Sequence, residues 1–410
     1  MRFYEAYDFN EMDESLRKSK ANYILLIVTV FLRWLGDSFF YAFMARYLKS
    51  LPFSPVELGI LTMTIPFMGI FGSLALALLG TNPTRRKIFF VILFALESGV
   101  VAFFGFPTQF FLVFLFDMIA NFCTGPEFSI IDTFIVGVTD QAKKTYGSAR
   151  QFGTLAYIVG VLSGGYLITY ISNQWTFFIG GCIMLFSSIL FLFLKYDKND
   201  TELIETQKKP SIRGNLRDLF QNRNFVFFLL GVSLFEAMML ATDTGFSLFS
   251  VDLGINDTLF GYAFAAAIAL EFIVMMIFQR IYRPTTVKIA IIVGAAAQVL
   301  RPILFAIPLQ NPNIYLFFDI LRGVTMGLCL LAQLILLRRI LSPKLLYPGY
   351  FLFALVKFVL CAGMDFLIPV LADSAGYTPA FLILAGISLL GLILVLPISM
   401  KEKPTSPEAA

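Results

Sequence analysis

The sequence predicts an all-α membrane protein of twelve transmembrane helices, arranged as two pseudo-symmetric six-helix halves. Three observations carry this. Apolar runs of about twenty residues, each long enough to cross about 30 Å of hydrocarbon, recur along the whole chain. Only 14% of the residues are charged, while 58% are hydrophobic and 16% aromatic, against about 25% charged in soluble domains. Basic residues concentrate in every second loop, as the positive-inside rule expects of a chain that crosses a bilayer repeatedly.

Residues 1–20 are polar and mixed in charge. They lack the basic, apolar and cleavage-site order of a signal peptide, so the first span is expected to be retained. Spans follow at 22–47, 57–80, 86–106, 108–137, 149–171 and 175–195, then at 224–250, 258–280, 284–307, 313–341, 346–372 and 378–400. Arg17, Lys18 and Lys20 precede span one, and Arg85, Arg86 and Lys87 follow span two. Lys143 and Lys144 follow span four, and Arg280, Arg283 and Lys288 follow span eight. Arg338, Arg339 and Lys344 follow span ten, and Lys401 and Lys403 follow span twelve. The intervening loops are nearly free of basic residues, Arg46 and Lys49 excepted. Both termini are therefore expected in the cytoplasm, and an even number of spans agrees that they share a side.

The polar stretch 196–223 divides the chain into an N-terminal half, 1–195, a cytoplasmic linker, and a C-terminal half, 224–410. Weak repeats support the division. Ser54-Pro-Val-Glu-Leu-Gly59 opens span two as Asn256-Asp-Thr-Leu-Phe-Gly261 opens span eight. Asn173-Gln-Trp175 precedes span six as Ala375-Gly-Tyr377 precedes span twelve.

Composition also excludes functions. The net charge is only +4 and the basic residues lie beside spans, which excludes a nucleic-acid partner. There is no histidine, so the commonest metal ligand and the commonest neutral-pH proton carrier are missing. Cys123, Cys182, Cys329 and Cys361 are scattered through apolar spans and read as packing residues, without a disulfide or metal spacing. No GxxxxGK[ST] motif is present, so ATP is not a direct energy source. No catalytic residue, metal or cofactor is expected, and the chain is read as a monomer that is not an enzyme.

The informative residues are charges inside apolar spans, because each costs about 2.5–3.5 kcal/mol or more at bilayer depth. Asp132 and Arg150 flank the short loop between spans four and five. Counted from that loop, Asp132 lies about 6 Å deeper, a gap that an arginine side chain covers. Tyr157 lies seven residues beyond Arg150 on the same helical face. An arginine fork beneath an aromatic platform suits a hydroxylated or ring-bearing ligand. Gly125-Pro126 is expected to break or kink span four just before Glu127, and carbonyls freed there can line a cavity. Asp132, Arg150, Tyr157 and Glu127 are thus the candidate substrate-binding residues.

Arg33 and Asp37 are spaced i,i+4 and can pair within span one. Asp319 and Arg322, spaced i,i+3, can do the same in span ten. Glu236 and Asp243 share a face of span seven, and two like charges there invite a cation or a proton. Gly160 and Gly164 form a GxxxG pattern in span five, expected to mark close helix packing.

At these residues the chain resembles the lactose-permease-like branch of the major facilitator superfamily, sugar–proton and nucleoside–proton symporters. Tyr146-Gly-Ser-Ala-Arg150-Gln-Phe-Gly153, followed by a glycine-rich span, is similar to the family's fifth-helix motif. The resemblance implies that Asp132 and Arg150 bind substrate, aspartate replacing the family's glutamate, and that Tyr157 stacks on it. It also implies that Glu271, Arg301, Arg322 and Lys357 occupy the positions of the family's proton-site charges. Glu236, Asp243 and Asp319 join them as candidate cavity charges. The chain departs from the family in three places: Arg322 stands where a histidine is expected, Thr325 and Met326 stand where an acid is expected one turn later, and the family's acidic-and-basic motif after span two is reduced to residues 72–87 with no acid.

The resemblance implies uptake of a small polar solute of the sugar or nucleoside class across the cytoplasmic membrane, by alternating access and proton symport. A proton crossing about 100 mV releases about 2.3 kcal/mol, enough for a gradient of about fifty-fold. Without histidine, a carboxylate must carry that proton, and Glu271, Asp243, Glu236 and Glu97 are candidates. Two alternatives stand beside this. One is proton-antiport export of amphipathic or cationic compounds, for which Glu97 and Asp117 would serve. The other is a non-transporting membrane sensor or assembly protein, against which the small polar mass outside the spans argues.

Overall fold

The computed structural model describes residues 9–78, 83–195, 212–283 and 286–399. Its helices, in chain order, are α1 (Phe9–Tyr41), α2 (Met44–Ser50), α3 (Pro55–Leu78), α4 (Pro83–Phe103), α5 (Phe110–Gln141), α6 (Tyr146–Tyr170) and α7 (Asn173–Phe193). They continue with α8 (Ile212–Gln221), α9 (Arg223–Asp252), α10 (Asp257–Ile281), α11 (Thr286–Ala306), α12 (Ile314–Asp319), α13 (Leu321–Ile340), α14 (Pro343–Ala375) and α15 (Tyr377–Val395). Eleven stretches among the described residues are long and apolar enough to cross a membrane. The remaining long helix, α4, bears Arg85, Arg86, Lys87 and Glu97. Each predicted span coincides with one observed helix or a pair of them, span one with α1 and α2 and span ten with α12 and α13.

The chain separates into two compact units. The first comprises Met1–Ala42 and Phe71–Thr206, and the second Phe43–Ile70 and Gln207–Ala410. The division therefore runs through α3. In the first unit, Leu26, Val30 and Trp34 of α1 pack with Phe90 and Phe94 of α4, Phe134 of α5 and Phe191 of α7. In the second, Phe225, Phe228 and Phe235 of α9 pack with Ile291 of α11, Leu336 of α13 and Val395 of α15. Large apolar side chains such as Ile88, Ile92, Phe193, Ile289 and Ile393 are exposed. Water would not tolerate so many on helix after helix, whereas lipid tails are their natural surroundings.

Local chemistry explains the ends of the helices. Ser54 and Glu57 form a reciprocal capping box at α3: the Ser54 N–H donates to Glu57 Oε2 at 2.8 Å, and the Glu57 N–H to Ser54 Oγ at 3.3 Å. Asn256 caps α10 by accepting from the Leu259 N–H at 2.8 Å. The two sequence repeats are thus two N-caps in equivalent places. Gly160 packs against Ser38 and the Leu35 carbonyl with no room for a side chain, the close packing its GxxxG pattern predicts.

Two expectations fail here. Pro126 does not break α5, which runs unbroken from Phe110 to Gln141. The Phe122 carbonyl, which proline deprives of its donor, abuts Gly72 of α3. Asp319 and Arg322 do not pair with each other. A turn at Ile320 separates α12 from α13 between them, and each takes partners on other helices.

Candidate functional site

Helices α5 and α6 are joined by Ala142–Thr145, so their facing ends lie close. That proximity brings Asp132 and Arg150 to 4.0 Å, Nε to Oδ1. The pair is open: the side chains are 49% and 32% exposed, respectively. Tyr146 of α6 donates its hydroxyl to Asp132 Oδ1 at 2.8 Å. The guanidinium carbon of Arg150 stands 4.4 Å from the ring centroid of Trp34 on α1. Trp34 in turn meets Tyr157 edge to face, with centroids 6.2 Å apart. A Cβ at Gly153 would clash with the Trp34 ring and press on the Arg150 guanidinium, so glycine leaves room for this arrangement. The expected pair and its aromatic neighbour are together; Trp34, which sequence reading passed over, joins them.

Glu127 is not in that group. It lies buried on the same helix as Asp132, α5, bound through both carboxylate oxygens to Nε and Nη2 of Arg33 on α1. Arg33, only 1% exposed, also donates to Glu97 of α4 at 2.7 Å, and Asp37 stands 3.7 Å away. Tyr41 donates to Glu97 at 2.8 Å, and Thr124 does so at 3.0 Å. The intrahelical Arg33–Asp37 pair is therefore the longest contact of a four-charge cluster. Asp37, Glu97 and Glu127 bring carboxylate oxygens within 4.8 Å of one another. The guanidinium already lies among them, so they form the surroundings of an arginine rather than a cation cage.

The second unit gathers the remaining predicted charges. Arg301 of α11 donates to Asp243 of α9 at 2.6 Å and to Asp319 of α12 at 2.5 Å. Arg322 of α13 donates to Asp243 at 2.8 Å and approaches Glu271 of α10 at 3.5 Å. Its guanidinium also lies over the Phe264 ring at 4.7 Å. Lys357 of α14 pairs with Glu236 of α9 at 3.3 Å. Glu236 and Asp243 share a helix face as expected, but each already has cationic partners.

These helices and charges set the chain beside known proteins. A family model described as the MFS_1 like family matches residues 23–400. The chain belongs to that family. Among curated relatives, it is 25% identical over 216 residues to the uncharacterised transporter YwbF of Bacillus subtilis, covering 52% of this chain and 51% of that one. It is 23% identical over 276 residues to the sucrose permease of Escherichia coli, covering 64% of each. The matched region thus spans about half of the first relative and 64% of the second. Among solved structures, the nucleoside transporter NupG superposes with a TM-score of 0.73 at 16% identity, over 92% of this chain and 98% of that one. The xylose transporter XylE from E. coli, in an inward open conformation, superposes with a TM-score of 0.68 at 12% identity, over 93% and 97%. The fold is the major facilitator fold, in a multi-pass membrane protein.

Proposed function

We propose that this chain is a secondary transporter that moves a small polar solute of the sugar or nucleoside class across the cytoplasmic membrane, by alternating access and in symport with a proton. The observation that carries the reading is the open Asp132–Arg150 pair against Trp34 and Tyr157. A fork of donors, a carboxylate acceptor and two aromatic rings are what a ring bearing several hydroxyls needs. The names of the sucrose permease and of the nucleoside and xylose transporters agree with that solute class. The sequence halves 1–195 and 224–410, joined by the linker 196–223, are taken as the two moving bodies, and the transporter as a monomer with both ends cytoplasmic. Export of cationic compounds is less favoured, because Glu97 is engaged by Arg33 and Asp117 by the Asn121 amide at 2.8 Å.

Uptake of radiolabelled sucrose, xylose and uridine into cells expressing the chain tests the reading. At least one solute should accumulate, and Arg150→Lys and Asp132→Asn should each weaken its binding more than tenfold while the protein still inserts. Normal affinity in either variant would make the pair structural.

A further inference from the structure

Asp365, in α14, is an intramembrane carboxyl to which the sequence resemblance assigned no role. It is 2% exposed. Its Oδ2 accepts from the Cys361 thiol at 3.3 Å, and its Oδ1 has no hydrogen-bond partner. A thiol is a weak donor, and a buried carboxylate without a cation in contact is among the costliest groups a protein can hold. Beside it stand Thr244 of α9, whose hydroxyl also interacts with the carboxyl, and Asp243 of α9, and Asp243 is itself held by Arg301 and Arg322. Helix α15 brings no charged side chain, and α3 brings a hydroxyl only. Glu236, Asp243, Glu271 and Asp319, by contrast, each contact an arginine or lysine.

What covers this level of α14 is α3. Thr62 Oγ1 donates to the Asp365 backbone carbonyl at 2.7 Å. One turn earlier, Gly59 lies so close to the Phe366 carbonyl that a Cβ would strike it. The internal repeat makes α3 the counterpart of α10, a member of the first half of the sequence, although residues 43–70 pack in the second unit. Alternating access between the two sequence halves, as proposed above, would part it from α14.

We propose that Asp365 is the proton-binding group of this transporter, holding its proton while α3 lies on α14 and releasing it when α3 withdraws. On withdrawal, water reaches the carboxyl, the O–H bond breaks, the proton passes to water, and the carboxylate is left hydrated. On closure the reverse occurs. The inference rests on the proton-symport reading above and moves the proton from Glu271 to Asp365.

Asp365→Asn copies the protonated acid in shape and charge. In proteoliposomes loaded with whichever of sucrose, xylose or uridine the wild type accumulates, this variant should exchange solute across the membrane at close to the wild-type rate. It should lose accumulation more than tenfold, together with the solute-driven alkalinisation of the medium. Wild-type accumulation by the variant would overturn the proposal. A second readout needs no transport: the infrared C=O stretch of a protonated carboxyl, present in purified wild type at neutral pH, should vanish in Asp365→Asn and persist in Glu271→Gln. An unchanged band in Asp365→Asn would refute proton binding there. If the wild type moved none of the three solutes, the symport reading would fail, and the infrared band would still decide whether Asp365 holds a proton.

Discussion

Trp34 sits beside Arg33 on α1, and the two side chains serve different clusters. Arg33 is consumed by Glu127, Glu97 and Asp37, whereas the ring of Trp34 lies under Arg150. Substitutions should separate these roles. A cation–π contact contributes about 0.5–2 kcal/mol, so Trp34→Leu should weaken solute binding roughly two- to thirty-fold, with Trp34→Phe in between. Titration of purified protein with the transported solute measures this, and an unchanged Kd would remove Trp34 from the site. Arg33→Met should instead cost about 3–5 kcal/mol of stability, because it strands buried carboxylates. Its yield and melting temperature should fall, and adding Glu127→Gln and Glu97→Gln should recover part of both. Equal stability of Arg33→Met and wild type would mean that the cluster is neutral. Asp132, Arg150 and Tyr157 were legible because a charge within an apolar run is conspicuous and an i,i+7 spacing fixes a shared face. Trp34 was not, because an aromatic in a chain with 47 Phe and 16 Tyr carries no signal of its own.

At the level of helices, the two units close their ends by the same device. Lys87 at the start of α4 donates to the carbonyls of Leu192 and Leu194 at the end of α7, at 2.8 and 2.6 Å. Lys288 at the start of α11 donates to those of Leu396 and Ile398 after α15, at 2.6 and 2.8 Å. Asn22 binds the backbone of Lys195, and Asn224 accepts from the Ser399 N–H at 3.1 Å. The last carbonyls of a helix have no partners within it, and an ammonium satisfies two while meeting the negative end of the helix dipole. Lys87→Met and Lys288→Met should each cost about 1 kcal/mol, a fall of about 2–4 °C in melting temperature. Sharing no partner, the two effects should add in the double variant, and a markedly smaller combined fall would mean that the caps are not independent. Helix positions were legible from apolar runs alone. The course of α5 through Pro126 was not, because proline's penalty depends on whether the freed carbonyl finds other surroundings, which here Gly72 provides. Nor was the fate of Asp319 and Arg322, since i,i+3 pairing presumes one continuous helix and cannot foresee the turn at Ile320.

For the whole molecule, twelve spans in two halves followed from loop charge and run length, because a bilayer permits few ways to satisfy a backbone. The packing of residues 43–70 in the second unit was beyond reach of the sequence, since it depends on which surfaces meet rather than on which residues repeat. It also explains the two exceptions to the positive-inside pattern. Arg46 is 5% exposed, donates to Asp257 and the Ile255 carbonyl at 2.6 Å each, binds Ser250, and lies over Phe260 at 4.6 Å. Lys49 pairs with Asp252 at 3.0 Å. A basic residue matched by acid partners weighs less against an external loop, so neither residue argues against the orientation expected from the other loops. Single cysteines at positions 49 and 208, in a background lacking Cys123, Cys182, Cys329 and Cys361, test that orientation; Lys208 itself lies outside the described residues. An impermeant maleimide applied to intact cells should label Lys49→Cys and leave Lys208→Cys unlabelled until the membrane is opened. Labelling of position 208 alone would invert the topology. The same assay reads the docking of residues 43–70: Lys49→Cys already removes the pair with Asp252, and adding Asp257→Asn breaks the pair with Arg46, so labelling at position 49 should become faster in the second variant. An unchanged rate would mean that the Arg46–Asp257 pair does not hold the segment in place.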